Sequence, residues 1–154
     1  MRHALRVVSC TALFFALTAA AFGQTSIGGG YEVTLPDGWT FERQQGRDSI
    51  VGKLVSQEGQ AISFEIGVLV EGGRPRVGGG YSDHAAAVPE DKRTWFKEQT
   101  IAGRKFSVVY TAEQRLTISS AGTRKGVNFH TTAKTPGEVA DALLIALSTV
   151  EKGK

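Results

Sequence analysis

Residues 61–70 read AISFEIGVLV, with an apolar side chain at every second position. Ile62, Phe64, Ile66, Val68 and Val70 point one way, while Ser63 and Glu65 point the other. A period of two over that length specifies a strand with one buried face and excludes an amphipathic helix. It also needs neighbours, because a lone strand leaves its backbone donors and acceptors unpaired.

The neighbours are legible as further short runs: YEVTL at 31–35, WTFER at 39–43, SIVGKLVS at 49–56, TWFKEQTI at 94–101, KFSVVYTA at 105–112, RLTISSA at 115–121 and VNFHTTA at 127–133. Turn residues separate them: PDG at 36–38, Glu58-Gly59, AGR at 102–104 and GTRKG at 122–126. PDG is expected to return WTFER beside YEVTL.

One helix closes the chain. Thr135 is the expected N-cap, Pro136 stands at the first helical position, and Glu138 completes a Thr-x-x-Glu capping box. Val139, Leu143, Ala146, Leu147 and Val150 fall on one stripe, which Leu144 and Ile145 widen. Short antiparallel strands followed by a single apolar-faced helix predict an α+β fold: an antiparallel β-sheet with the C-terminal helix packed on one face.

Between the two groups of strands, residues 71–93 hold five glycines and two prolines with little periodicity. They read as one long Gly-rich loop with a short helical turn near 82–88, and a loop of that length in a small domain is usually either functional or mobile.

The first 23 residues stand apart. Arg2, His3 and Arg6 precede the apolar run VVSCTALFFALTAAAF at 7–22, and small residues follow, which is the layout of a secretory signal peptide. The run falls short of the roughly 20 apolar residues of a spanning helix. Cleavage is expected after Ala21 or Gly23, with Gln24 as the favoured new N-terminus, so that 24–154 forms a single exported domain. Cys10 precedes most of the apolar core rather than following it, so no lipid anchor is expected. Without Arg2 and Arg6 the balance is 16 basic against 15 acidic residues, which does not support a nucleic-acid partner. Cys10 is also the only cysteine, so the exported domain has no disulfide, thiol nucleophile or thiolate metal site.

Few motifs suggest chemistry. GGGY occurs twice, at 28–31 and 78–81, but neither copy leads into the Lys-Ser or Lys-Thr and helix of a phosphate loop. The continuations EVTLPDGW and SDHAAAVP share no pattern, so the two copies are not a repeat. The first copy reads as slack before the first strand, and the second as part of the long loop. Ser82, Asp83 and His84 are adjacent in YSDH, yet a catalytic triad is defined by convergence in space and not by adjacency. His84 and His130 show no His-x-x-x-His spacing, so no metal or cofactor is expected, and His130 reads as a solvated sheet residue.

Two surfaces remain as candidates. Arg74, Arg76, Tyr81 and His84 in the loop would offer cations and an aromatic ring to an anionic or sugar-like ligand. Ser107, Thr111, Thr117, Ser119, Asn128, His130 and Thr132 share one polar sheet face if the register holds, the ordinary reading being the wet face of a one-sided sheet.

YEVTLPDGW near the start, the middle insertion, TIAGRKFSVVYTA and the final strand plus helix together resemble the PsbP-like superfamily. That superfamily includes oxygen-evolving accessory proteins of photosystem II, a Ran-binding family and many exported bacterial proteins. The resemblance implies a small α/β/α sandwich and an accessory or binding role, and it carries over no catalytic residue. The sequence-based expectation is an exported, non-catalytic module that binds a protein or small-molecule partner, with no nucleic acid and no stable membrane anchor. The alternatives are a small hydrolase using His84 with a nearby acidic residue, or a structural envelope protein.

Overall fold

The computed structural model describes residues 23–46, 49–69 and 80–152. The predicted leader, and with it Cys10, lies outside them except for Gly23. So do Val70, Arg74 and Arg76.

Among the described residues ten strands form two antiparallel sheets, and the fold is α+β. Strand β1 (Gly23–Gly28) pairs with β2 (Tyr31–Leu35), and β2 pairs on its other side with β10 (Val150–Glu151). The larger sheet takes β3 (Trp39–Gln44), β4 (Ile50–Ser56), β5 (Ala61–Val68), β6 (Arg93–Ile101), β7 (Arg104–Thr111), β8 (Arg115–Ala121) and β9 (Lys125–Thr132). Its order is β3-β4-β5-β9-β8-β7-β6. Two meanders thus meet along β5 and β9, where Phe64 lies opposite Phe129.

The helix α1 (Pro136–Leu147) and the small sheet cover the same face of the large sheet. Ile27, Tyr31 and Val33 from the small sheet join Leu54, Ile62, Phe64, Phe106, Leu116, Ile118 and Phe129 from the large one, with Ala142, Ile145 and Ala146 from the helix. The Phe64 ring sits 5.9 Å from Phe41 and 6.1 Å from Phe129, so three strands share one aromatic layer. The capping box forms as expected: Glu138 N–H donates to Thr135 Oγ1 at 3.2 Å, and the Glu138 carboxylate accepts from Thr135 N–H at 3.1 Å.

Several expectations change in the fold. The turn at 36–38 does not return the chain beside β2; β3 leaves for the large sheet and pairs with β4 instead. The first GGGY is not slack, because β1 precedes it and Gly28, Gly29 and Gly30 form the hairpin turn with φ of +96°, +63° and +87°. Three successive residues in that region explain why the turn is spelled with glycine alone. Ile62, Phe64 and Ile66 are buried as the alternation predicts, but Val68 is 43 % exposed where β5 runs beyond the covering layer. Leu144 is 65 % exposed, and Val150 lies outside the helix, in β10. The short turn expected near 82–88 is present, and a 3-10 turn (Glu90–Lys92) leads into β6, which begins at Arg93. Among the described residues, no helix is long and apolar enough to cross a membrane.

Candidate functional site: a polar sheet face closed by residues 80–88

The face of the large sheet turned away from α1 is polar, and its register follows the predicted parity. Glu65 on β5 pairs with Asn128 on β9, Asn128 with Ser119 on β8, Ser119 with Ser107 on β7, and Ser107 with Glu98 on β6. A parallel row, two residues along each strand, holds Ser63, His130, Thr117, Val109 and Phe96.

This face is not the wet surface that the sequence suggests. Ser107, Ser119 and Asn128 are each 1 % exposed, because residues 80–88 lie across them. The buried polar groups are nearly all paired with that segment, which is how their desolvation is offset. Asn128 Nδ2 donates to the Ser82 carbonyl at 3.0 Å, and its Oδ1 accepts from Ser119 Oγ at 2.6 Å and from His84 N–H at 3.3 Å. Ser119 Oγ in turn accepts from Ala85 N–H at 3.0 Å. Asp83 accepts from Ser107 Oγ at 2.6 Å with one oxygen and from Ala86 N–H at 2.9 Å with the other, fixing the turn and its docking together. Arg93 holds the far end through the Val88 and Ala86 carbonyls. At the near end Tyr81 N–H donates to the Val68 carbonyl at 2.8 Å. The Tyr81 ring lies on Gly126, where an added Cβ would overlap it. Burial raises the Tyr81 phenol pKa, with the Asp83 charge adding to the effect.

Docking brings four side chains into line. His84 Nε2 lies 3.3 Å from Glu65 Oε1, His84 Nδ1 lies 3.2 Å from His130 Nε2, and His130 Nδ1 lies 3.2 Å from Thr117 Oγ1. With both rings neutral, one proton arrangement serves every group. The Glu65 carboxylate accepts from His84 Nε2–H; His84 Nδ1 accepts from His130 Nε2–H; His130 Nδ1 accepts from the Thr117 hydroxyl. The His130 pKa is lowered by burial first and then by the neighbouring His84, with Glu65 opposing and Arg115 adding to the fall. His84 and Glu65 stay open to solvent, with side chains 36 % and 39 % exposed.

Beside this line is a concavity of ≈ 410 Å³ lined by Ala61, Ser63, Arg115, Thr117, His130 and Thr132 among others. A cation, an imidazole and hydroxyls line it alongside Ala61 and Leu116, a lining suited to a polar or anionic group.

Of the residues the sequence puts forward, Tyr81 and His84 both reach this site, one under the segment and one at its rim. The YSDH neighbours do not converge: Asp83 turns to Ser107, while Ser82 contributes its carbonyl to Asn128. His130 is not a free sheet residue but half of an imidazole pair. Sequence pattern singles out neither Glu65 nor Arg115. Parity places Glu65 on the face of Asn128 and His130, but nothing in the sequence says that β5 lies beside β9. Among the described residues no group of three or more His, Cys, Asp or Glu converges on a metal position. No known family model matches the chain, and no curated protein matches it.

Proposed function

We propose that the protein is an exported, non-catalytic binding or accessory module whose recognition surface is the polar sheet face with residues 80–88 docked on it. One observation carries the reading. Three polar side chains are buried in a network that holds this segment, where an apolar face would have packed more cheaply. The product is an exposed rim of His84 and Glu65 next to the Arg115 concavity, suited to a partner that offers an acidic or hydroxyl-bearing group. The leader-like first 23 residues support export. The same reading groups the chain with PsbP-like accessory modules, in which an α/β/α sandwich would present such a face. The 80–88 segment would then stand where a second helical layer does.

The test is capture from the native envelope with the wild-type chain and with His84→Ala and Arg115→Ala. A partner retained by wild type and reduced at least about 10-fold by either variant supports the reading. Equal capture by all three chains removes this face from recognition.

A second reading, a small hydrolase, gains from the Glu65–His84–His130–Thr117 line, which has the order carboxylate, imidazoles, hydroxyl. Turnover of chromogenic esters, phosphoesters or glycosides that disappears in both His84→Ala and Glu65→Gln would favour it. No turnover above buffer on all three classes would end it.

A further inference from the structure

We propose that His84 Nδ1 and His130 Nε2 form a two-imidazole site for a divalent transition metal of the zinc and copper class, open to solvent. The inference deepens the binding reading by naming a ligand, and its experiment needs no partner.

Two imidazole nitrogens, each about 2.0–2.1 Å from one tetrahedral ion, stand roughly 3.3 Å apart. The inner nitrogens of His84 and His130 stand 3.2 Å apart, with ring centroids separated by 5.2 Å. The bite of the pair therefore suits one ion without movement of either strand or segment.

The outer nitrogens make the stronger case. A metal-bound histidine commonly donates its other N–H to a carboxylate or another oxygen, which fixes the ring and raises its basicity. His84 Nε2 faces Glu65 at 3.3 Å, and His130 Nδ1 faces Thr117 Oγ1 at 3.2 Å. Both rings are thus held from behind by oxygen, with their inner edges converging. In the neutral pair His84 already carries its proton on Nε2 and leaves Nδ1 free. His130 needs only to move its proton from Nε2 to Nδ1, whereupon the Thr117 hydroxyl turns from donor to acceptor. No net proton is released, and lowering the pH adds a proton that competes with the ion.

The remaining coordination positions would go to water or to a ligand from the concavity that His130, Thr117 and Ser63 help to line. Imidazole donors favour zinc, copper and nickel over calcium or magnesium. Two protein ligands give an open site that takes up metal reversibly rather than a closed structural cage.

The experiment is a Zn²⁺ titration of the untagged chain followed by ¹⁵N NMR of the imidazole rings. One equivalent should shift His84 Nδ1 and His130 Nε2 to metal-bound values and convert His130 to its Nδ1–H form. Zn²⁺ affinity, read by calorimetry, should fall at least about 10-fold in His84→Ala and roughly 10- to 100-fold in Glu65→Ala. The wild-type ring signals decide the matter even if a variant folds poorly. Absence of saturable shifts, shifts on the outer nitrogens, or unchanged affinity in the His84→Ala/His130→Ala chain would each overturn the site. A wild-type chain that captures its partner but shows no Zn²⁺ shift overturns this inference alone and leaves the binding reading standing.

Discussion

His130 lies in the second row of the polar face, held between His84 and Thr117. Its pKa is lowered chiefly by burial, so the folded chain binds this proton less readily than the unfolded chain. The His130 contribution to stability is therefore present above the unfolded value of about 6.5 and is lost as pH falls below it. Urea midpoints measured between pH 7.5 and 5 should decline in wild type, and His130→Asn should flatten that decline. A parallel decline in the variant would mean that other groups control it. Thr135 offers a simpler case. Its hydroxyl is the acceptor for Glu138 N–H at the helix start, so Thr135→Ala should cost about 0.5–2 kcal/mol in denaturant unfolding. The contrast between these residues also explains what could be read beforehand. The capping box is local, spelled by Thr135, Pro136 and Glu138 within four positions, and the sequence shows it complete. The His84–His130 contact spans 46 positions and depends on the order of strands, on which neither histidine's neighbours bear.

At the scale of elements, the strands themselves were legible because alternation is a local property, and RLTISSA appears as β8 with the expected ends. Pairing was harder. PDG promised a hairpin, but β2 has both edges occupied by β1 and β10, so β3 is carried to the other sheet. Two-residue β10 has too little pattern to be recognised, and Val150 falls on the spacing of the helical stripe instead. The polar face of β7, β8 and β9 follows from parity, yet its burial does not, because the cover comes from a segment without periodicity. That segment should behave as a separable element. Gly126→Val would place side-chain atoms where the Tyr81 ring lies and force the segment off the sheet at its near end. Hydrogen exchange at the Tyr81 and Ala85 amides, now bonded to the Val68 carbonyl and Ser119 Oγ, should accelerate far more than exchange in α1. Uniform acceleration would instead show that the segment and the sheet open together.

At the scale of the whole molecule, one apolar core joins two sheets and a helix, so global unfolding should be a single transition. Phe64, between Phe41 and Phe129, is its centre, and Phe64→Ala should cost about 3–5 kcal/mol with an unchanged dependence on denaturant. The small sheet ties the two ends of the described chain together. Thr34 N–H donates to Ser148 Oγ at 2.8 Å, Lys152 N–H donates to the Gly30 carbonyl at 2.7 Å, and β10 lies along β2. Ending the chain after Leu147 should therefore lower the thermal midpoint of the entire molecule and not merely fray one strand. That closure also has a meaning in time. Of the described elements β1 and β2 come first in order, yet the strand that occupies the second edge of β2 comes last. The small sheet over the core is complete only once this most distant pairing has formed, so Val150 and Glu151 act as its latch.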